Sequence, residues 1–536
     1  MDLLPHLYGK IKTSKMKKLS SLLLIAFVLV IATNAQDRQN LNKLQVKTPN
    51  GLIQGIAEAS GVNSFKGIPY AQPPIGNLRW KEPLPPANWK GILKADHFGP
   101  RAMQNAIFSD MIFRSKGISE DCLYLNVWSP AKTTNGKLPV LVYFYGGGFS
   151  SGDGSEARYD GENMAKKGIV TITINYRLGV FGLLAHPDLT KESAHHSSGN
   201  YGLMDQHAAL VWVQNNIAAF GGDPKKVTIA GESAGSMSVC AQVASPLSKG
   251  LFVGAIGESG SMLGNLSPVI LSDAEQVGVA FAKTVGATSL ADLRKISADS
   301  LLKLSASTRF PVAIDGYFMP ESPTAIYSTG RQMDIPLLAG WNSAEVNYHS
   351  LLGKDAPTLE NYQSTIRKIY GDRAEEVLNL YAAVNDSDVV KVATDLASDR
   401  FIVYSTWKFI DLHSKTNGKP VFRYLFTRKH PPMADGKESK ELSMGAVHAS
   451  ENEYAMGNLS SNKIYAWTPD DYKVSETMMG YFANFIKTGN PNGSGLPTWY
   501  GLQSSIPKVM VLDVNSQSQP EKYLKRYLLL DNLNDR

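Results

Sequence analysis

The sequence predicts an α/β fold with a central, mostly parallel β-sheet and helices packed on it. Two nearly continuous apolar runs, residues 138–145 and 168–175, have the pattern of strands covered on both faces of a sheet. A helical pattern over residues 202–217 follows and leads into a β-branched run at residues 227–229. Strands and helices that alternate in this way are typical of a parallel sheet.

Composition and charge are those of an ordinary soluble globular protein. The 536 residues are 43% hydrophobic and 19% charged, which does not indicate disorder. The formal net charge is +6, but five lysines and one aspartate in residues 1–35 supply four of these charges. The rest of the chain is nearly neutral, so we expect no binding to nucleic acid.

The N-terminus has the pattern of a secretory signal peptide. Five lysines precede an uninterrupted apolar run at residues 22–32. Thr33-Asn34-Ala35 then places small residues at a candidate cleavage site. The eleven apolar residues of the run are too few to span a bilayer.

Residues 1–35 are therefore expected to be removed, which leaves residues 36–536 as a single α/β domain. The mature protein is expected to be secreted or periplasmic, with no stable insertion in a membrane after cleavage. An uncleaved membrane anchor is the alternative, and translation from Met1 or from Met16 is left open.

The chain contains two cysteines, Cys122 and Cys240. An exported protein of this length with two cysteines is not held together by a disulfide framework. The cysteines and histidines lack the spacing of a zinc site, and His195-His196 lies in a Ser/Gly/Asn-rich stretch typical of an exposed loop. We therefore expect neither a metal nor a cofactor.

The first elements of the mature chain are a hairpin and an irregular segment. Residues 44–48 alternate as a strand does, Asn50-Gly51 is a hairpin turn signal, and residues 52–56 supply the return strand. Residues 65–80 are rich in proline, so we expect a packed irregular segment there. Arg79 pairs with a buried acid or lies on the surface, and both alternatives stay open.

One short stretch, residues 227–237, predicts a strand, a sharp turn and the start of a helix around Gly231-Glu232-Ser233-Ala234-Gly235. A serine nucleophile needs exposure and a neighbouring base, and a tight strand-to-helix turn between small residues gives that exposure. We therefore predict Ser233 as a nucleophile, with a simple packing turn as the alternative. A second Gly-x-Ser-x-Gly match at residues 148–152 leads into turn-forming residues instead.

Three glycines, Gly146-Gly147-Gly148, follow the first apolar strand. Glycines at the end of a central strand leave backbone N–H groups accessible to a substrate carbonyl. The turn at Ser233 leaves the N–H of Ala234 accessible in the same way. We predict that Gly147, Gly148 and Ala234 form an oxyanion hole; a flexible glycine loop is the alternative.

Several longer motifs make the chain resemble the type-B carboxylesterase and cholinesterase branch of the α/β-hydrolase superfamily. The motifs span roughly residues 45–500 in the family's order. They are residues 65–80, 120–126, 145–149, 175–179, 220–224, 231–235, 315–316, 445–459 and 485–497. The resemblance implies an α/β-hydrolase fold with large loop and helical excursions around a gorge, and the order nucleophile, acid, base along the chain.

The resemblance also identifies a base that follows Ser233 in the chain. His448 lies among small residues and matches the family's histidine loop. His349 is a further candidate, whereas His413 lies in a helical pattern and His430 stands beside two prolines, so both are interpreted as structural or surface residues.

The acid implied by the resemblance is Glu345, in the loop after a predicted strand at residues 335–340. It accepts the imidazole N–H and stabilises the imidazolium. Asp315 and Asp334 are rival acids, and a solvated loop carboxylate is the other interpretation of Glu345.

Two further residues match positions around the family's catalytic triad. Glu232 is expected to be a buried structural carboxylate, and Ser259 is expected to hold the residues of the triad in position. Simple packing is the alternative for both. The resemblance as a whole predicts a serine carboxylesterase that hydrolyses small-molecule esters through an acyl-enzyme on Ser233.

Two alternatives to this function are kept. One is an esterase or amidase of narrow specificity, and the other is a non-catalytic adhesion or scaffold protein on the same fold. The oligomeric state is left open.

The chain departs from the family at two points. Many relatives form a disulfide to the position of Cys122, but the partner position is occupied here by Met103, so two free thiols are predicted. The loop at residues 104–119 lacks the tryptophan with which cholinesterases hold a quaternary ammonium group. This absence argues against choline esters, and the Phe and Met residues of the loop favour a neutral ester.

Overall fold

The computed structural model describes residues 44–108, 111–436, 444–503 and 508–534. The expected signal peptide, residues 1–35, lies outside the described residues. Among the helices in the described part of the chain, none combines the length and the apolar character needed to cross a membrane.

The β-strands are distributed along the whole described chain. In chain order they are β1 (Gln45–Thr48), β2 (Gly51–Gln54), β3 (Ile56–Ala57), β4 (Asn63–Pro69), β5 (Ile92–Lys94), β6 (Arg101–Ala102), β7 (Ile118–Ser119), β8 (Tyr124–Ser129), β9 (Leu138–Phe144), β10 (Val170–Ile174), β11 (Gly222–Glu232), β12 (Gly254–Glu258), β13 (Val269–Ile270), β14 (Ala313–Ile314), β15 (Leu337–Asn342), β16 (Val421–Phe426), β17 (Lys508–Leu512) and β18 (Gln517–Pro520).

Helices connect these strands and fill two long excursions, between β12 and β15 and between β15 and β16. They are α1 (Glu162–Lys166), α2 (Gly179–Leu183), α3 (Pro187–Glu192), α4 (Tyr201–Asn216), α5 (Ala234–Ala244), α6 (Leu271–Thr284), α7 (Leu290–Lys295), α8 (Ala298–Leu304), α9 (Pro323–Ser328), α10 (His349–Leu352), α11 (Leu359–Tyr370), α12 (Ala374–Leu380), α13 (Asp386–Ser398), α14 (Tyr404–Thr416), α15 (Asn452–Met456), α16 (Pro469–Thr488) and α17 (Leu524–Asn534). A π-helical turn, Asp399–Val403, joins α13 to α14.

Eleven strands form one sheet in the order β18-β17-β16-β15-β12-β11-β9-β10-β8-β4-β3. Every neighbouring pair from β17 to β10 is parallel, whereas β18 on one side and β8, β4 and β3 on the other are antiparallel. The central strands are buried almost throughout because helices cover both faces. The mostly parallel sheet predicted from the sequence is confirmed.

The N-terminal hairpin is also confirmed, because β1 pairs antiparallel with β2 through Thr48 and Gly51. The irregular segment expected at residues 65–80 is partly wrong. Its first residues belong to β4, in which Phe65 and Ile68 pair with β8. Pro69 is the last residue of that strand, where a missing N–H is tolerated, so proline content excludes a helix here but not a strand.

The structure decides between the alternatives for Arg79 and agrees with the two free thiols predicted for the cysteines. The Nε and Nη2 atoms of buried Arg79 each lie 2.6 Å from a different carboxylate oxygen of Glu120, so Arg79 pairs with an acid, and that acid is only partly buried. Cys122 and Cys240 are both buried and unbonded, as predicted. Burial raises the pKa of the Cys240 thiol to about 12.

Candidate active site

The predicted serine stands on a sharp turn between β11 and α5. β11 ends at Glu232, Ser233 has a φ of 56°, and α5 begins at the next residue. A Cβ atom on Gly235 would lie 2.0 Å from the carbonyl oxygen of Phe144, so this position needs glycine. The turn leaves Ser233 partly exposed at the carboxyl end of the sheet.

Three of the predicted side chains form one hydrogen-bonded row. The Oγ atom of Ser233 lies 2.8 Å from Nε2 of His448. The Nδ1 atom of the same ring lies 2.7 Å from Oε2 of Glu345. A serine, an imidazole and a carboxylate in this sequence of contacts have the geometry of a nucleophile, its base and the group that orients the base.

Neighbouring parallel strands hold these residues in place. Glu232 at the end of β11 is in register with Glu258 at the end of β12, and Glu258 with Gly340 of β15. Ser233 therefore follows β11 and Glu345 follows β15, and the single strand β12 lies between these two strands in the sheet. His448 lies on a loop beyond β16, and its backbone N–H donates to the carbonyl oxygen of Glu345 at 3.2 Å.

A buried polar network contacts the carboxylate oxygen of Glu345 that does not face His448. Its Oε1 atom accepts hydrogen bonds from the backbone N–H of Asn342 and from the hydroxyl of Ser259, both at 2.7 Å. The Ser259 hydroxyl also lies 3.2 Å from Oε1 of Glu451, whose other oxygen accepts from the Asn342 side chain at 2.5 Å. Ser259 thus contacts the oxygen of Glu345 that does not face His448.

Glu232 lies on the other side of the histidine. Its Oε1 atom is 3.3 Å from His448 Nε2, and the side chain is buried. The pKa of Glu232 is raised to about 8, mainly by burial; His448 opposes the rise, and the carboxylates of Glu451 and Glu345 contribute to it.

The charge of Glu232 in turn affects the histidine. Burial lowers the pKa of His448, but the carboxylates of Glu232 and Glu345 outweigh that effect and hold it at about 9. The two groups therefore titrate as a pair. A negative charge on Glu232 raises the pKa of His448, and loss of that charge lowers it.

Backbone N–H groups from two elements, the glycine loop after β9 and the start of α5, lack acceptors in the described part of the chain. Gly147 and Gly148 have φ angles of 110° and 62°, and a Cβ atom on Gly147 would lie 2.2 Å from the Ser151 carbonyl oxygen. Within the described residues, no group accepts a hydrogen bond from the N–H of Gly147, Gly148 or Ala234. These donors have the character required of an oxyanion hole.

The rival residues lie elsewhere. The Nε2 atom of buried His413 lies 2.9 Å from the Ile335 carbonyl oxygen, and that of His430 lies 3.0 Å from the Ser450 carbonyl oxygen. The ring of His349 contacts the Gly353 carbonyl oxygen at 2.9 Å. Asp315 accepts N–H bonds from Tyr317 and Met319, and Asp334 accepts one from Gly418.

Two cavities include residues next to the candidate site, because Gly148 lines one and Phe401, which contacts His448, lines the other. The glycine-side cavity, of about 560 Å³, is lined by Gly148, Phe149, Met237, Asn265, Arg309 and Phe310, among others. The histidine-side cavity, of about 720 Å³, is lined by Asn265, Tyr370, Arg373, Arg400, Phe401 and Tyr404, among others. The ring of Phe401 contacts the ring of His448 edge to face, with 5.1 Å between centroids.

Sequence reasoning missed several residues of this region. Glu451, Glu258 and Asn342 belong to the polar network, and Phe401 contacts the histidine. Glu451 had a detectable signal, because it is an acid three residues after His448 in a loop of small residues. No local pattern marks Phe401, which comes from a helical excursion distant in sequence.

A serine on a strand-to-helix turn, at the carboxyl end of a mostly parallel sheet and followed in the chain by an acid and a histidine, defines the α/β-hydrolase class. Within that class, the chain belongs to the carboxylesterase family, whose model matches residues 42–528.

Known relatives agree with this assignment. The chain is 35% identical to fumonisin B1 esterase of Sphingopyxis macrogoltabida, over 85% of this chain and 84% of that protein. It is 34% identical to para-nitrobenzyl esterase of Bacillus subtilis strain 168, over 90% of this chain and 98% of that protein. A solved structure of a PNB esterase matches with a TM-score of 0.78 and 32% identity, over 91% of this chain and 99% of that chain.

The chain is therefore an enzyme of the carboxylic ester hydrolase class. Each of these relatives is named as an esterase, so the alternative of a non-catalytic adhesion or scaffold protein has no support from them.

Proposed function

We propose that the protein is a serine carboxylesterase that forms an acyl-enzyme on Ser233. The observation that carries the proposal is the continuous contact from Ser233 Oγ through His448 to Glu345, at 2.8 and 2.7 Å. His448 Nε2 takes the serine proton while Oγ attacks the ester carbonyl carbon. Glu345 keeps the Nδ1 proton in place and stabilises the imidazolium that forms.

The carbonyl oxygen becomes an oxyanion, which accepts hydrogen bonds from the N–H groups of Gly147, Gly148 and Ala234. Loss of one such donor typically costs about 10²–10³ in rate. The tetrahedral intermediate collapses as His448 protonates the leaving alcohol. Water, deprotonated by the same histidine, then attacks the acyl-enzyme and releases the acid and the free serine.

The test is hydrolysis of p-nitrophenyl acetate, butyrate and octanoate by the purified mature protein and by Ser233→Ala. We expect the variant to lose about 10³-fold or more of kcat. Ser150→Ala is the matched control, because Ser150 is the serine of the second Gly-x-Ser-x-Gly match and its hydroxyl points to the Gly148 carbonyl oxygen at 3.3 Å. Equal activity of wild type and Ser233→Ala would contradict the proposal.

A fluorophosphonate reagent separates nucleophilic from purely structural roles. It is expected to modify Ser233 in the wild type and to leave Ser233→Ala unmodified, as read from the mass of the tryptic peptide. The p-nitroanilides of the same acids, offered beside the esters, test the alternative of a narrow-specificity esterase or amidase. Turnover of one anilide or one ester alone would favour that alternative.

We further propose that the protein is exported, as a secreted or periplasmic enzyme. The support is the order of a lysine-rich segment, an apolar run and small residues within residues 1–35. Sequencing the N-terminus of the protein recovered from the medium or the periplasm is expected to read from Gln36. An intact leader on a protein retained in the cell would contradict export.

A further inference from the structure

The histidine-side cavity has one unusual structural element in its wall. The π-helical turn Asp399–Val403 interrupts an otherwise continuous helix formed by α13 and α14. Such turns are rare and occur frequently at functional sites. This one carries Arg400 and Phe401 side by side, and both line the cavity.

Arg400 brings an uncompensated positive charge to this wall. Its side chain is exposed, and its guanidinium carbon lies 5.6 Å from the centroid of the Tyr370 ring, which lines the same cavity. In the described part of the chain, no carboxylate forms an ion pair with Arg400. The hydroxyl of Tyr370 is buried and has no hydrogen-bond partner there.

Two acids of this region, Asp399 and Asp531, are bound to other groups. Asp399 is buried, accepts from Arg526 Nε at 2.7 Å and from the Tyr381 hydroxyl at 2.6 Å. Asp531, which contacts the cavity residue Tyr404, accepts from Lys408 Nζ at 2.5 Å.

The second arginine of the cavity is neutralised. Arg373 donates to a Glu376 carboxylate oxygen at 2.7 Å. The described residues that line the cavity include neither aspartate nor glutamate, so the charge of Arg400 has no ion-pair partner among them.

We propose that Arg400 binds a carboxylate of the substrate, so that the preferred substrates are esters carrying a second, ionised carboxyl group. This proposal rests on the proposed esterase function. A planar guanidinium matches a carboxylate with two parallel hydrogen bonds, and the Arg400 guanidinium carbon lies 5.6 Å from the Tyr370 ring centroid, within the range of a cation–π contact. The adjacent Phe401 contacts His448, so the wall of the cavity that carries Arg400 also touches the base of the triad.

The carboxylate belongs to the acyl part or to the alcohol part of the ester, and two substrate pairs distinguish these sources. The first pair is mono-p-nitrophenyl adipate and p-nitrophenyl hexanoate. The second is benzyl butyrate with and without a para-carboxylate on the ring. In each pair the charged and neutral esters have closely similar reacting groups.

The measured quantity is the ratio of kcat/KM for the charged ester to kcat/KM for its neutral partner. We expect Arg400→Gln to lower this ratio at least about tenfold in one pair, because a charge-assisted bidentate contact is lost. Arg400→Lys is expected to recover part of it. The wild-type ratio is expected to fall between about 0.01 M and about 1 M NaCl, because an exposed charge is screened.

Arg367→Gln is the matched control. It removes the same unit of charge from an exposed arginine that pairs with Glu375 at 3.2 Å and does not line either cavity. The ratio is expected to stay at the wild-type value in this variant. A fall equal to that in Arg400→Gln would assign the effect to net charge and overturn the proposal.

Arg309 provides a second critical comparison. It is exposed, lines the glycine-side cavity and forms no ion pair within the described residues. A fall of the ratio in Arg309→Gln but not in Arg400→Gln would overturn the assignment to Arg400.

The same assays distinguish failure of the anion-site proposal from failure of the proposed esterase function. Hydrolysis of the neutral esters that depends on Ser233, with no preference for either charged ester, would overturn the anion site alone. No hydrolysis of any of the four esters by the folded wild type would instead contradict the esterase function.

Discussion

Replacing Glu345 by glutamine tests whether this carboxylate sets the proton position on His448. The two oxygens of Glu345 are not equivalent. Oε1 accepts from the backbone N–H of Asn342 and from the Ser259 hydroxyl, whereas Oε2 faces Nδ1 of the histidine. In Glu345→Gln the amide oxygen therefore stays with its two donors, and the amide NH₂ faces Nδ1.

An NH₂ group opposite Nδ1 forces that nitrogen to accept, so the ring proton moves to Nε2 and blocks the transfer from Ser233. Turning the amide over restores the proton position but leaves the Asn342 N–H unpaired, at about 1–3 kcal/mol. The charge that stabilises the imidazolium is lost in either orientation. An acid-to-amide change of this kind lowers kcat by about 10⁴-fold, which corresponds to about 5 kcal/mol in the barrier.

The assay is kcat with p-nitrophenyl butyrate at saturating substrate, beside Glu451→Gln as the matched control. Glu451 contacts Ser259 and Asn342 but does not touch the histidine in the described contacts, so its amide variant is expected to retain far more activity. A Glu345→Gln enzyme within tenfold of wild type, or losses of equal size in the two variants, would refute the reasoning.

Three further changes test the surrounding structure. Glu232→Gln removes a carboxylate 3.3 Å from His448 Nε2, so the pKa of His448 is expected to fall. The acid limb of the pH profile of kcat/KM is expected to move down by about 1–3 pH units. An acid limb at the wild-type pH would contradict this. Asp205→Ala removes the acid that accepts three hydrogen bonds from Arg177 at 2.7–3.0 Å. Urea denaturation is expected to show a loss of about 3–5 kcal/mol in the free energy of unfolding, because a buried charge is left unpaired. A loss below about 1 kcal/mol would contradict this. Gly235→Ala places a Cβ atom 2.0 Å from a strand carbonyl oxygen, so soluble protein with wild-type activity is not expected.

The central part of the site was predictable because its signals are local. A strand, a turn between two glycines and a helix lie within about a dozen residues around Ser233, and the glycines after β9 directly continue a strongly apolar run. The assignment of Glu345 and His448 needed more than local pattern. It rested on resemblance to a family whose chain order is known, since no spacing rule alone selects His448 over His413.

The remaining features depend on contacts between distant segments. Phe65 and Ile68 form a strand because β8 is available beside them, which proline content does not reveal. Glu451 reaches Asn342 only after the loop beyond β16 folds back over β15. Arg400 has no ion-pair partner within the described residues, because Asp399 and Asp531 bind Arg526 and Lys408 in the folded chain. A residue's lack of partners is a property of the folded chain.

The two long excursions have a consequence for how this enzyme diverges from its relatives. The reacting side chains follow the ends of β11, β15 and β16 in a rigid sheet, whereas Arg309, Tyr370, Arg400 and Phe401 come from segments inserted between β12 and β16. Replacement of an inserted segment therefore alters which molecules are accepted without displacing the reacting atoms. Laboratory evolution confined to these insertions is the economical route to new ester preferences in this scaffold.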